Sequence, residues 1–265
     1  MEQRHTSFDG LTTVNIELTN RCNKKCWMCG RRQIEPKPND MDFGDLKRLS
    51  KQLPNGIVVQ FHNNGEPLLY PVFGEAVSLF KHQIRCMDTN GKLLMDKRDE
   101  IINNLDTITI STFENDDESE EQLKILKEFL RFKGNRKPRT IIRCLGHLPK
   151  QVEKYKKLDC LIVPRVLHSP MGSFDYQLNS TIPEIGICLD LLNHLSIRSD
   201  GYVSMCVRFD PYSIGIIGNL CEQSLSDIWN SELRKEIINK HIVGKRNEVP
   251  LCNKCHYWGV PTGGC

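Results

Sequence analysis

Three cysteines crowd into eight residues, Cys22-Asn-Lys-Lys-Cys26-Trp-Met-Cys29, just after the first strand-like run of the chain. No other stretch constrains the chain as much as this C-x3-C-x2-C spacing. Three thiolates can hold three irons of a 4Fe-4S cube, since such clusters are held by Cys thiolates. The fourth iron then has no cysteine from the motif, and an open metal position is where a substrate or cofactor binds. A zinc site would need a fourth ligand close by, and Gly30, Arg31, Arg32 and Gln33 offer neither Cys nor His. Ligand softness and spacing favour the cluster over zinc and over three unrelated thiols.

The 265 residues suit one full domain with a small one appended. A net charge of +3, from 36 basic and 33 acidic side chains, leaves no electrostatic footprint for nucleic acid. Twelve cysteines are many for a reducing compartment, and their two short-spaced groups point to metal and not to disulfides. The stretch Met1–Gly10 is polar and lacks the apolar core of a signal peptide. No run approaches the ~18 uninterrupted apolar residues of a membrane span. The sequence therefore reads as a cytoplasmic protein with neither nucleic acid nor membrane as partner.

Alternation places strands at 13–18, 57–61, 84–88, 107–112, 139–145 and 161–166. Helical patterns fall between them at 42–53, 71–82, 93–105, 119–132 and 149–157. Six strands alternating with helices argue for parallel βαβ units, too few for a complete eight-fold barrel. In such architectures chemistry gathers in the loops after the strands, and the cysteine loop is one of these. The basic runs 133–139 and 154–157 read as solvated surface. Gly, Ser, Pro and Asn over 168–187 mark a linker or a loop over the barrel mouth.

Beyond residue 187 the alternation stops. Strand-like runs at 195–198 and 202–206 flank Asp200-Gly201, a hairpin signal. A helix is predicted over 225–241, with Ser224 or Ser226 as cap. Cys188, Cys206, Cys252 and Cys255 give C-x17-C-x45-C-x2-C, which suits either tetrahedral zinc or a second 4Fe-4S cluster. Cys86, Cys144 and Cys160 read as buried small hydrophobes. Cys221 and Cys265 are spare, Cys265 as a mobile terminal residue.

The first cysteine motif resembles the signature of the radical S-adenosylmethionine (SAM) superfamily. The resemblance implies an open, partial (β/α)6 barrel, a 4Fe-4S cluster on Cys22, Cys26 and Cys29, and SAM chelated by the fourth iron. Met28 stands where the family usually has an aromatic residue, with Trp27 one place earlier. Asn63-Asn64-Gly65-Glu66-Pro67 resembles the family's GGEP segment, which receives the SAM amino group, with Asn64 in place of the first glycine. Such a contact makes physical sense, because a carboxylate and backbone carbonyls near an ammonium give charge-assisted hydrogen bonds. Thr89, Asn90 and Ser111 sit where further polar SAM contacts are expected. Arg143 is a candidate for the SAM carboxylate or ribose, and Val163 for packing the adenine.

Cys188, Gly201, Cys206, Gly218-Asn219, Asp227-Ile228-Trp229 and the closing C-x2-C resemble the C-terminal module called SPASM or, in its shortened form, twitch. That implies one auxiliary 4Fe-4S cluster on Cys188, Cys206, Cys252 and Cys255. The domains are then a barrel over 11–167, a linker over 168–187 and a twitch-like domain over 188–265. Substrate contacts are expected from Arg165, His168, Ser169 and Tyr176, with His168 suited to general base by its ordinary pKa. Size and cysteine spacing resemble the alcohol-oxidising, twitch-bearing branch of the superfamily, with flavodoxin or ferredoxin as reductant. Peptide maturases of the same superfamily are the alternative. They often carry an N-terminal recognition domain, for which a first strand at residue 13 leaves no room. A zinc-stabilised binding protein is the third reading, and it gives the NGEP segment no purpose.

Overall fold

The computed structural model describes residues 8–31, 36–165, 167, 187–206, 210, 212–253 and 255. Six strands follow in order: β1 (Thr13–Ile16), β2 (Val58–Phe61), β3 (Ile84–Thr89), β4 (Thr107–Phe113), β5 (Arg139–Leu145) and β6 (Leu161–Arg165). Each pairs in parallel with the next. Between them run α1 (Phe43–Ser50), α2 (Phe73–Ser78), α3 (Arg98–Ile101), α4 (Ser119–Lys133) and α5 (Pro149–Tyr155). These are the parallel units expected from the alternation, in the open six-unit barrel that the resemblance implied.

The two faces of the sheet differ. Val14, Ile16, Val59, Phe61, Met87, Ile108, Ile110 and Ile142 are buried in one core with Leu46 and Leu49 of α1, Phe73 and Val77 of α2, and Leu126 and Phe129 of α4. Phe61 meets Phe73 and Phe80 edge-on, at 6.4 and 5.5 Å between ring centres. Full burial of side chains of this size contributes about 1.5–3 kcal/mol each. The alternate positions Asn15, Gln60, Asp88, Ser111 and Arg143 therefore face the other way, because successive strand side chains point to opposite faces. The inner face is polar, and that polarity positions the site.

β6 and β1 do not pair. The free edge of β1 instead takes β7 (His194–Ile197) in parallel, with Asn15 opposite Ser196. β8 (Tyr202–Ser204) and β9 (Ile216–Asn219) follow antiparallel, giving one nine-stranded sheet in the order β6-β5-β4-β3-β2-β1-β7-β8-β9. The β7–β8 turn is the predicted Asp-Gly turn, with Gly201 at φ +83°. The C-terminal segment thus continues the barrel sheet.

Three helical expectations change, and the pattern over 71–82 yields regular helix only at Phe73–Ser78. The pattern over 93–105 yields regular helix only at Arg98–Ile101, closed soon after by Asn103 at φ +65°. The helix expected over 225–241 is two, α7 (Leu225–Trp229) and α8 (Glu232–Ile242). Ser231 Oγ accepts from Arg234 N and starts a new helix there, while Ser224 caps α7 as predicted. Besides the 3-10 turns at Pro67–Leu69 and Arg246–Glu248, three short elements were not anticipated: α6 (Leu189–Asn193) before β7, β9 itself, and α9 (Pro250–Asn253), which carries Cys252.

Candidate active site

The cysteine loop leaves the C-terminal end of β1 and is held by its own polar side chains. Arg21 pairs in a fork with Asp40, at 3.0 and 2.6 Å, and also donates to the Leu69 carbonyl. Lys24, inside the motif, is buried with its Nζ 2.7 Å from Asp116 Oδ2 and 4.9 Å from the Phe113 ring centre. Trp27 Nε1 donates to the Glu114 carbonyl at 3.0 Å. The loop is therefore tied to the rim beyond β4. Trp27, one place from the usual aromatic position, serves that anchorage.

Cys22, Cys26 and Cys29 are all half-buried. Burial pushes the Cys26 thiol up to about 12, with Cys29 and Cys22 adding to the rise and Lys24 opposing it. Cys22 is likewise raised, by burial first. Buried thiols set this close suit a positive centre, since a metal binds the thiolate.

The Asn64-Gly65-Glu66 loop after β2 packs directly on this stretch. Glu66 N donates to the Arg21 carbonyl at 2.7 Å. A Cβ at Gly65 would lie 1.8 Å from the Thr19 carbonyl oxygen, so no other residue fits the present backbone. Glu66 itself is buried. Its carboxylate accepts from Leu68 N, Thr89 Oγ1 and Asn90 N at 3.2, 2.8 and 2.8 Å. Burial raises it to about 7 even though these donors pull it down. Three donors leave little of Glu66 to offer an ammonium, so its chief task here is to lock the ends of β2 and β3 together. Asn90 closes the circle: its Nδ2 lies 2.7 Å from Asn23 Oδ1 and 3.8 Å from Cys22 Sγ.

Across the inner face, strand register sets Ser111 beside Arg143 and Arg143 beside Val163. The residues expected for SAM thus form one row leading from Asn90. Pro67 opens a short 3-10 turn under the loop. Arg143 is already engaged by the buried Asp88, which also accepts from Gln60 Nε2 at 2.6 Å. Burial alone would raise the Asp88 carboxyl, but Arg143, with His62 and Arg165, holds it below the usual carboxylate range. Arg165 lies at the end of β6 within this charge cluster. His168, Ser169 and Tyr176 fall outside the described residues.

The second cysteine set also gathers. Burial raises the Cys252 thiol, and Cys206, Cys255 and Cys188 each raise it further, which places these three within electrostatic reach of Cys252. Arg246 Nη1 staples the C-x2-C turn through the carbonyls of Cys252 and Cys255, at 2.6 and 3.1 Å. Cys188 N meets His241 Nδ1 at 3.4 Å. Cys144 is buried in the core with Cys160 half-buried near it, Cys86 is half-buried on β3 near Thr107, and Cys221 is exposed. Cys265 lies outside the described residues. Among the described residues no three Cys, His, Asp or Glu side chains close on a single point. An all-thiolate donor set suits an iron-sulfur cluster as well as tetrahedral zinc.

Glu17 is the residue the sequence hid best. Its Oε2 accepts from Asn64 N and Asn64 Nδ2, each at 3.0 Å, and its Oε1 from Ser199 Oγ at 2.8 Å. One buried carboxylate thus joins the NGEP loop to the β7–β8 turn. Gln122 of α4 likewise donates to the carbonyls of Asn90 and Ser111. A charge inside an apolar strand run, as at Ile16-Glu17-Leu18 or Met87-Asp88-Thr89, was the available signal. Buried charges occur where they are paired.

Comparison with known proteins matches residues 16–137 to the radical SAM superfamily model, and residues 188–256 to an iron-sulfur cluster-binding domain, SPASM. The chain is 25% identical over 259 residues to an S-adenosyl-L-methionine-dependent 2-deoxy-scyllo-inosamine dehydrogenase of Niallia circulans, with 94% of each chain covered. An 87-residue stretch is 31% identical to a tungsten-containing aldehyde ferredoxin oxidoreductase cofactor-modifying protein of Pyrococcus furiosus, covering 31% of this chain and 24% of that protein. In fold it resembles BtrN in complex with AdoMet and 2-DOIA, at TM-score 0.61, 20% identity and 93% of both chains. It also resembles Streptococcus suis SuiB bound to precursor peptide SuiA, at TM-score 0.63 and 15% identity, over 84% of this chain and 65% of that one. Among the described residues no helix is long and apolar enough to cross a membrane.

Proposed function

We propose that this chain, which matches the radical SAM superfamily over 16–137 and the SPASM domain over 188–256, oxidises an alcohol carbon of a small polar substrate, a sugar or an aminocyclitol, to a ketone. It is an enzyme whose cofactors are SAM, a 4Fe-4S cluster and auxiliary iron-sulfur chemistry. When bound, these groups supply a 5'-deoxyadenosyl radical that removes a hydrogen atom and a one-electron acceptor for what remains. Cys22, Cys26 and Cys29 would hold the first cluster. Cys188, Cys206, Cys252 and Cys255 would hold the second. Asn64, Gly65, Thr89, Asn90, Ser111, Arg143 and Val163 would line the SAM side, with Glu66 and Glu17 fixing the loop that carries them. The barrel would occupy 11–167, a linker 168–187 and the auxiliary module 188–265. A flavodoxin or ferredoxin would deliver the first electron.

The observation that carries this reading is the grouping of the four C-terminal cysteines, which gives an alcohol oxidation somewhere to send its electron. The full-length similarity to a dehydrogenase supports the substrate class. Peptide modification is the second reading, favoured by the likeness in fold to a protein bound to its precursor peptide. The test is an iron and sulfide count on anaerobically reconstituted protein, beside a Cys22/Cys26/Cys29→Ala variant. Dithionite then drives an assay for 5'-deoxyadenosine and for ketone from 2-deoxy-scyllo-inosamine. About eight irons in the parent and four in the variant, with both products from the parent alone, is the expected result. Four irons in the parent, all lost in the variant, would remove the electron acceptor the reading requires.

A further inference from the structure

One histidine inside the barrel has no part in the cysteine or SAM assignments. His62 directly follows β2, one residue before the Asn63-Asn64-Gly65-Glu66 loop. Strand alternation sets it on the inner face with Gln60, opposite Phe61, which is packed on Phe73 and Phe80. Its Nε2 lies 3.8 Å from Asp88 Oδ2, and its side chain keeps 35% of its surface open where Asp88 keeps 5%. The charged groups that face it come from three strands: Asp88 of β3, Arg143 of β5 and Arg165 of β6. Asp88 is fixed from the far side by Arg143 and Gln60.

We infer that His62 is the base that takes the substrate hydroxyl proton, a role that rests on the alcohol-oxidation reading above. In that step the O–H bond breaks and an N–H bond forms on the imidazole. The carbinol hydrogen goes as an atom to the 5'-deoxyadenosyl radical. The one remaining electron goes to an iron-sulfur cluster, and the C–O bond closes to C=O. Three features of the site suit it. The ring is open on one side to a molecule in the barrel. It adjoins the loop expected to hold SAM, so a carbon held against SAM can present its hydroxyl to the ring. The Asp88 carboxylate, 3.8 Å from Nε2 and beyond hydrogen-bond distance, stabilises the imidazolium once formed through its charge.

The electrostatics agree. Burial lowers the imidazole below its ordinary 6.5, Arg143 and Arg165 lower it further, and Asp88 opposes them. The ring is then neutral at pH 7 and able to accept a proton, and general-base positions of this kind contribute typically ~10²–10⁴-fold.

The test uses the reconstituted holoenzyme with 2-deoxy-scyllo-inosamine as probe, comparing the parent with His62→Gln between pH 5 and 9. Ketone formation is expected to fall by ~10²-fold or more in the variant, with the ratio of 5'-deoxyadenosine to ketone rising. The acid limb of the parent's kcat/KM profile should vanish with it. A second readout needs neither variant nor substrate: the pH dependence of His62 C2-hydrogen exchange in the parent, followed by mass spectrometry, should show a midpoint below 6.5. Four results decide the matter. A variant that makes ketone at the parent's rate with the same acid limb overturns the role of His62 and leaves the dehydrogenase reading standing. An exchange midpoint above the pH at which the parent is most active leaves the ring charged there and overturns it too, even if the variant fails to fold. A parent that forms 5'-deoxyadenosine but no ketone overturns the alcohol reading and the base with it. Loss of ketone in the variant at full iron content, with the low midpoint, establishes the role.

Discussion

Gly65 shows how narrowly single residues define this site. Its missing side chain lets the loop lie against β1's extension, where a Cβ would sit 1.8 Å from the Thr19 carbonyl and 2.9 Å from that of Arg21. Both neighbours are backbone and cannot swing aside. Gly65→Ala is therefore expected to cost about 3 kcal/mol or more and to lose SAM binding, measured by thermal unfolding and by calorimetric titration. The glycine was legible in the sequence, through its likeness to GGEP; the reason for it was not, because Thr19 and Gly65 are far apart in the chain. Glu66 carries a pH prediction. Its carboxyl is raised from 4.5 to about 7, so the folded protein holds that proton more tightly than the unfolded chain. The resulting stability is full below pH 4.5 and is lost as pH rises through 7, a window worth ~3 kcal/mol. Glu66→Gln cannot titrate. The melting temperature of the parent minus that of the variant should fall between pH 5 and 8, and a difference flat over that range would refute the assignment.

At the scale of elements, the sequence was most legible where a period was regular and least where pairing crossed the chain. β5 and α4 were expected within a residue of where they lie, since each carries its own alternation or its own apolar stripe of Leu123, Leu126 and Leu130, of which the fold buries the first two together with Phe129. The addition of β7 to the free edge of β1 could not be read, because the two strands are roughly 180 residues apart and nothing local records which edge is open. The break between α7 and α8 was hidden by a continuous helical pattern that only the Ser231 cap interrupts. Glu17 is where this long-range pairing meets the site. It follows β1, its backbone N donates to the Ile197 carbonyl at 2.8 Å, and its carboxylate spans Asn64 and Ser199. Glu17→Ala would leave Asn64 and Ser199 donors buried without an acceptor. A hydrogen bond to a charged group contributes about 1.5–3 kcal/mol, so the expected loss is of that order or larger. The melting temperature should drop together with SAM affinity, and an unchanged SAM affinity would show that the bridge does not position the loop.

For the whole molecule, the continuous sheet means that the two cysteine sets stand on one framework. The first leaves the end of β1, and Cys206 follows β8, two strands away across β7. The separate legibility of the two motifs in sequence disguised this, because each reads as a self-contained metal signature. The framework makes a division of labour testable. In the proposed reaction the N-terminal set begins the chemistry and the C-terminal set finishes it. A Cys206→Ala/Cys252→Ala variant should therefore keep about four irons and still form 5'-deoxyadenosine, while ketone falls toward background. The carbon radical left behind would have no acceptor in the protein, and reduction back to the alcohol, by an electron from dithionite and a proton from water, would become its main fate. With substrate deuterated at the carbinol carbon and assayed in ordinary water, parent turnover should carry the label into 5'-deoxyadenosine alongside ketone; the variant should carry it without ketone. Full ketone yield from the variant would make the C-terminal module a structural support. Loss of 5'-deoxyadenosine as well would mean that the continuous sheet transmits damage from one end to the other, a result the melting temperature of the same variant would register independently.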